Sequence, residues 1–407
     1  MRSGRWLSPD GKLIFIEKCV RTVPYGFLGV LYGVYMKQLG FADFSIGLVL
    51  MATVLSSALY TFAVSFVADR LGRVRTLIFF ALMDSVAGSV LLISTSWWAP
   101  VLAGIVGNMT VGAGEVGPFL SLEQAMLPKT SDSSRRTFSF SIYNLIGYGA
   151  SSIGALLAGL PDYLGGTLSA YRPLFLGYLV SGLLGAVLYS RLSKNIEIDP
   201  TTREQKRPVL SAKSRPIVLK LSTLFSVDAF GGGFIGQSII GLYFYERYAL
   251  RLDALGLILF ATQIVTAMSF LLAERIARRI GLLRTMVFSH IPSNVFLAAI
   301  PFAPSVAGAV ALLLCRQSLS QMDVPTRQSF VMAVVEESDR TPAAGFTNVS
   351  RTVASSVSPS LAGYVMDNVW LGLPFLAAGT LKLVYDFTLY AVFRKTKPPE
   401  EQTRSAP

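Results

Sequence analysis

Histidine, cysteine and charged side chains are all scarce in this chain. His290 is its single histidine, and Cys19 and Cys315 are its two cysteines, so neither a disulfide framework nor a metal site is expected. A nucleophile would have only His290 as a histidine base, and the chain has no glycine-rich phosphate loop. The sequence therefore predicts neither an enzyme nor an ATP-driven pump, and it implies no cofactor.

Charged residues make up only 15% of the chain, hydrophobic residues make up 52%, and the mean hydropathy is +0.53. Soluble domains contain about 25% charged residues, so this composition is typical of a protein embedded in a lipid bilayer. Twelve apolar segments recur along the chain. Each is close to the roughly 20 residues that cross a bilayer core, and each must be helical because lipid cannot bond its backbone groups. The predicted spans are 13–38, 46–67, 76–95, 99–124, 137–160, 173–192, 216–246, 254–273, 285–302, 305–330, 344–366 and 371–393.

Lysine and arginine concentrate in alternate connections between these spans. Because cytoplasmic loops carry the excess of positive charge, this pattern predicts that both termini are cytoplasmic. The net charge of +12 then belongs to the inner membrane face and not to a nucleic-acid-binding surface, since no basic patch is interleaved with aromatic residues. We expect a monomer, most simply in a bacterial cytoplasmic membrane.

The two halves of the chain repeat one another. Polar residues of the fifth span recur in the eleventh span at a constant spacing of 204 residues. Such repetition predicts an all-α fold of two parallel six-helix bundles around a central cavity. The matched pairs are Arg136 with Arg340, Asn144 with Asn348, and Ser151 with Ser355.

The predicted domain bounds follow from this repeat and from a polar stretch that separates the two copies. Residues 1–192 form an N-terminal six-helix bundle, and residues 216–407 form a C-terminal one. Residues 193–215 contain two prolines and much of the positive charge, so they are predicted to be a flexible cytoplasmic linker.

The connection between the second and third spans, residues 65–75, reads SFVADRLGRVR. It resembles the signature of the major facilitator superfamily of secondary transporters, and the whole chain is similar to the twelve-helix drug and solute antiporters of that superfamily. The resemblance implies a cytoplasmic gate, in which Asp69 faces the positive N-terminus of a helix and Arg73 pairs with Glu123. The implied gate residues are Asp69, Arg70, Arg73, Glu123, Glu274, Arg275 and Arg327.

Several charged residues lie inside the predicted spans, where a charge at a helix centre costs at least about 2.5–3.5 kcal/mol. Those with polar neighbours at helical spacing are predicted to line a water-filled path; Arg316 and Asp323, for example, share one face of the tenth span. Lys382 and Asp386, in the twelfth span, are expected to pair with each other. The predicted path consists of Arg21, Tyr25, Tyr32, Asn108, Glu115, Asn144, Asp228, Arg316, Asp323, Asn348 and Arg351.

Glu115, Asp228 and Asp323 are the candidate proton carriers of this path, because a desolvated carboxyl can exchange a proton. Asp228 is favoured, since its own helix supplies no basic partner. The leading hypothesis is a secondary transporter that moves a small organic solute by alternating access, with proton-coupled efflux. The alternatives are an organic-anion transporter that uses Arg21, Arg316 and Arg351, and a membrane sensor that binds a solute without transporting it.

Overall fold

A computed structural model describes residues 7–110, 117–127, 130, 136–197, 210–336 and 339–395. These residues form helices joined by short connections. The α-helices are α1 (Pro9–Gln38), α2 (Asp43–Leu71), α3 (Arg73–Ile93), α4 (Trp98–Val106), α5 (Pro118–Met126), α6 (Arg136–Leu157), α7 (Leu160–Tyr163), α8 (Arg172–Ser190), α9 (Ser214–Gly233), α10 (Gln237–Tyr248), α11 (Leu252–Ile280), α12 (Leu282–Ala299), α13 (Val306–Ser320), α14 (Asp323–Val334), α15 (Arg340–Asn368) and α16 (Leu373–Phe393).

Within these ranges, seven helical segments are by themselves long and apolar enough to cross a membrane. They contain α2, α3, α8, α9 with α10, α11, α12 and α16. The other five predicted spans correspond to the long but more polar helices α1, α6 and α15 and to two pairs of short helices, α4 with α5 and α13 with α14. The all-α fold with twelve crossing segments is therefore confirmed.

The fourth and tenth spans are interrupted, although each was predicted to be one continuous helix. In the fourth span, α4 ends at Val106 and α5 starts at Pro118, and residues 107–110 are not helical. In the tenth span, α13 ends at Ser320 and α14 starts at Asp323. Proline accounts for the position of each restart, because a proline lacks an N–H and its ring clashes with the carbonyl four residues earlier. Pro118 begins α5, and Pro325 lies in the first turn of α14.

The seventh span is also interrupted. Helix α9 ends at Gly233, and α10 starts at Gln237. The three consecutive glycines at 231–233 predict such a loosening, because glycine adds backbone freedom that a helix has to restrict.

The chain forms two compact units. The first consists of residues 1–205 and 236–260, and the second of residues 206–235 and 261–407. Residues 236–260 therefore belong to the first unit, although they come from the second half of the sequence. Within that unit, the Lys37 ammonium group lies 2.6 Å from Asp43 Oδ1 and 2.6 Å from Glu246 Oε1, which ties α10 to α1 and α2. The predicted bounds 1–192, 193–215 and 216–407 describe the sequence repeat and stay a prediction.

Equivalent helices pack together inside the two units. In the first unit α1 packs against α6 and α8, and α3 packs against α8 and α4. In the second unit α9 packs against α15 and α16, and α12 packs against α16 and α13. These are the same pairings, shifted by six spans, so the duplicated architecture is confirmed at the level of helix packing.

Equivalent turns in the two copies of the repeat each contain a glycine with a positive φ. Gly72 has φ +99° before α3, and Gly281 has φ +92° before α12. Only glycine reaches this backbone region without strain, so both copies need it to join two antiparallel helices tightly.

Small residues let α1 and α6 approach closely in the first unit. A Cβ added at Gly154 of α6 would overlap the carbonyl oxygen of Val23, and a Cβ added at Gly26 of α1 would overlap that of Ser151. The second unit uses the same device, since a Cβ at Gly233 of α9 would overlap the backbone of Ser355 in α15. Such small-residue contacts are a common basis of helix association in membranes.

We predict that Gly154→Ala destabilises the first unit by about 1–3 kcal/mol, because the added methyl group forces α1 and α6 apart. The measurement is thermal unfolding of the purified protein in detergent. Gly149→Ala is the matched control, since it lies on the same helix and a Cβ there meets nothing within 4 Å. Equal unfolding temperatures for the two variants would contradict the close-packing interpretation.

Candidate functional site

The first unit holds a buried ion cluster centred on Arg21 of α1. Its Nε lies 3.0 Å from Glu17 Oε1, and its Nη2 lies 2.6 Å from Glu123 Oε2 on α5. Two tyrosines donate to the same Glu123 carboxylate, Tyr143 of α6 at 2.6 Å and Tyr189 of α8 at 2.8 Å. Glu17 and Glu123 are at most 1% exposed, so one guanidinium compensates two carboxylates that water does not reach.

Lys18 extends this cluster. Its Nζ donates to the Tyr143 hydroxyl at 3.1 Å and lies 4.1 Å from the centre of the Tyr143 ring. Helix α1 thus brings Lys18 into contact with α6 and Arg21 into contact with α5, while Glu17 pairs with Arg21 on α1 itself. These contacts explain how a helix with so many charges is accommodated among apolar ones.

Asp84 of α3 forms a second polar centre in the first unit. The hydroxyl groups of Tyr25 and Tyr178 each donate to its carboxylate at 3.0 Å, and the backbone N–H of Asn108 donates at 2.9 Å. Asn108 follows the end of α4, and its side-chain oxygen accepts from the Ser57 hydroxyl at 3.0 Å. Asp84 therefore satisfies a backbone donor that the interruption of the fourth span leaves outside a helix.

The second unit holds a buried cluster around Asp228 of α9. Lys382 Nζ lies 2.6 Å from Asp228 Oδ1, and Arg351 Nη1 lies 2.9 Å from Oδ2. Arg327 Nη1 lies 3.7 Å from Oδ2, and His290 Nε2 lies 3.9 Å from Oδ1. The carboxylate is 2% exposed, and its charge is compensated by cations from α14, α15 and α16.

This arrangement corrects two predictions. Asp228 has no basic partner on its own helix, but it has several from other helices, so the reason for choosing it as an uncompensated proton carrier was wrong. Lys382 does not pair with Asp386; its partner is Asp228. Asp386 instead contacts His290 Nδ1 at 2.8 Å and accepts from the Asn294 amide at 2.8 Å.

Arg316 of α13 lies apart from these ion pairs. It is 6% exposed, and its Nη1 donates to the side-chain oxygen of the neighbouring Gln317 at 2.6 Å. Among the described residues its Nε has no hydrogen-bond partner and no carboxylate forms a salt bridge with it, although Asp228 acts on it electrostatically from a longer distance. Arg316 and Asp323 do not share one continuous helix face, because the tenth span is interrupted between them.

The remaining predicted residues divide into three groups. Asn144, Asn348 and Arg275 are exposed and belong to neither cluster. The Tyr32 hydroxyl donates to the Pro100 carbonyl at 2.5 Å, which is a packing contact between α1 and α4. Glu115 and the side chains of Asp69, Arg70 and Glu274 lie outside the described residues.

The predicted gate pair between Arg73 and Glu123 is replaced by other contacts. Glu123 is bound by Arg21, and an Arg73 Nη1 donates to the carbonyl of Ala125 at 3.3 Å. The start of α3 is instead bound by Glu197, whose carboxylate accepts from the backbone N–H groups of Arg73 at 2.8 Å and Val74 at 3.0 Å. A carboxylate at a helix N-terminus is electrostatically favourable.

Sequence reasoning missed several members of these clusters. Asp84, His290, Lys18 and Glu197 were placed neither in the predicted path nor in the gate, and Lys382 and Asp386 were expected only to pair with each other. For Lys382 a signal was available, because a lysine inside an apolar span requires an acid, and Asp228 is a carboxylate in the span to which that helix packs.

The comparisons with known proteins agree with this architecture. The sequence pattern of the Major Facilitator Superfamily matches residues 19–319 and 238–407. The chain belongs to the Major Facilitator Superfamily and is an integral, multi-pass membrane protein. It is 27% identical over 422 residues to the uncharacterized membrane protein YJR124C of Saccharomyces cerevisiae, covering 95% of this chain and 94% of that protein. This relative is from a yeast, so it does not support the expected bacterial membrane.

Solved structures with the same fold are similar over nearly the whole chain. A mutant of the nucleoside transporter NupG has a TM-score of 0.75 at 15% identity, covering 94% of this chain and 100% of that one. The human organic anion transporter MFSD10 has a TM-score of 0.66 at 14% identity, covering 94% and 99%. At these identities the likeness concerns the fold alone.

We predict that Asp228→Asn lowers the stability of the protein by about 3–5 kcal/mol, because Lys382 and Arg351 lose the carboxylate that compensates them. The measurement is thermal unfolding in detergent. The double variant with Lys382→Met should recover part of the loss, since it removes a cation together with the anion. Glu336→Gln is the control, because its ion pair with Lys213 is exposed and such pairs contribute about 0–1 kcal/mol. An Asp228→Asn protein as stable as this control would contradict the charge-compensation interpretation.

Proposed function

We propose that this protein is a secondary active transporter that moves a small organic solute across its membrane by alternating access. Membership of a superfamily of transporters and the repeated helix packing in the two units support this proposal. The polar composition of particular helices supports it further. Among the described residues, the first, fifth and eleventh spans are too polar to qualify as apolar crossing segments, and the fourth and tenth are divided into short helices. The predicted path residues lie mainly in these five spans.

We propose further that the solute carries an acidic group, and Arg316 is the observation that carries this step. A buried guanidinium with an unbonded Nε and no carboxylate of the described residues within salt-bridge distance is costly, even with the longer-range attraction of Asp228, unless an anion occupies its surroundings at some stage of the cycle. Arginine is well suited to that task, because its planar fork binds a carboxylate or phosphate through two parallel hydrogen bonds.

For the direction of transport and its coupling, we propose proton-coupled efflux of the solute. The working unit is a monomer whose two termini lie in the cytoplasm. Uptake of an organic anion is the alternative that Arg316 also favours. A sensor that binds the solute without moving it is the alternative from another class, and it is distinguished by flux and not by binding.

We predict that organic acids stabilise the purified protein against thermal unfolding more than their neutral amide counterparts do. Arg316→Gln should weaken the affinity for such an acid about 10- to 100-fold, because a hydrogen-bonded charge pair is lost. Arg284→Gln is the matched control, since it removes the same charge at an exposed position at the start of α12.

Counterflow of a stabilising acid in proteoliposomes then tests transport itself. Equal stabilisation by acids and amides, or unchanged affinity in Arg316→Gln, would overturn the anion assignment. Tight binding with no counterflow would overturn transport in favour of the sensor.

A further inference from the structure

Asp84 is a deeply buried acid whose hydrogen-bond partners are all neutral. It is 2% exposed, and its carboxylate accepts from Tyr25, Tyr178 and the backbone of Asn108. No ion pair of Asp84 occurs among the described residues, whereas Glu17 and Glu123 in the same unit share Arg21. Asp84 thus differs from its buried acidic neighbours in lacking a directly bound cation.

The groups that face Asp84 come from three neighbouring helices. Helix α8 brings Tyr178, the end of α4 brings Asn108, and α1 brings Tyr25 together with the Glu17–Arg21 pair. A narrow crevice is lined by Asp84, Glu17, Arg21, Phe119 and Ser181, and it joins the two polar centres of the unit. Arg21 is the cation that lines this crevice among the described residues, and Glu17 and Glu123 already compensate it.

Two opposing effects act on the proton affinity of this carboxyl. Burial without a bound cation disfavours the anion, whereas three hydrogen-bond donors favour it. Because burial and the three donors oppose each other, this environment can hold the carboxyl in either its protonated or its ionised form. We propose that Asp84 is a reversible proton-binding site of the first unit.

Protonation would change the hydrogen bonds at a defined place. Asp84 Oδ1 accepts from both Tyr178 and Asn108, so the proton goes to Oδ2, which accepts only from Tyr25. The new O–H then donates to the Tyr25 hydroxyl, which has to accept where it previously donated. Hydrogen bonds to a charged acceptor are roughly twice as strong as neutral ones, so the bond to the backbone of Asn108 weakens as well.

This last bond links proton binding to the interrupted fourth span. Asn108 lies in the non-helical stretch after α4, where Asp84 satisfies its N–H. Loading the proton therefore loosens the contact that holds α3 to the end of α4. A role in coupling rests on the proposed transport function, whereas proton binding itself does not and is testable without any solute.

The test is an infrared titration of the purified full-length protein from mildly alkaline to mildly acidic pH. We expect the C=O stretching band of a protonated carboxyl to appear on acidification and to be absent in Asp84→Asn. Tyr25→Phe and Tyr178→Phe each remove a donor to the ionised form, so each should move the midpoint of this band upward by about 1 to 2 pH units. If the two tyrosines had a merely structural role, removing their hydroxyl groups would leave the midpoint of this band unchanged.

Tyr60→Phe is the matched control, because its hydroxyl bonds the Ile105 carbonyl and not a carboxylate, and its midpoint should equal that of the wild type. A wild-type spectrum that Asp84→Asn leaves unchanged would overturn the proposal. Where Asp84→Asn does not fold, unshifted midpoints in both tyrosine variants would overturn it equally. A titrating Asp84 in a protein without counterflow would uphold the proton site and refute transport.

Discussion

Charges that helices carry into a membrane must be compensated by other parts of the protein, and this constraint organises both units. In the first unit, Arg21 joins Glu17 on its own helix to Glu123 on α5. In the second unit, Asp228 collects Lys382 and Arg351 from two other helices. Hydrophobic packing alone does not fix how these helices are placed next to one another. Ion pairs fix it, because they are directional and contacts with lipid are not.

Much of the fold was predictable from the sequence, because its signals act along the chain. Hydrophobic length locates the spans, and the repeat spacing of 204 residues identifies equivalent helices. Even the loosening at Gly231–Gly233 follows from local composition. The interruptions of the fourth and tenth spans were missed, because a proline inside a transmembrane helix is often tolerated, as Pro24 is in α1.

The candidate site was predictable only in part, because its contacts join residues that are far apart in sequence. Helical spacing identifies Arg21 with Glu17, but it cannot show that Glu123 lies on the other side of the guanidinium, 102 residues later. The same limit explains why Lys382 was matched with Asp386, its neighbour at four residues, when Asp228 is its partner. Spacing along one helix identifies candidate charges, while the packing of helices decides which of them pair.

The composition of α1 has a consequence for how the chain is made. Segments enter the bilayer in the order of synthesis, and α1 is not among the helices apolar enough to cross on their own. Its Lys18 and Arg21 find Tyr143 and Glu123 only after more than a hundred further residues have been translated. Helix α1 therefore reaches its final environment only after α5 and α6 have been synthesised. The final placement of α1 in the membrane thus depends on helices that are synthesised after it.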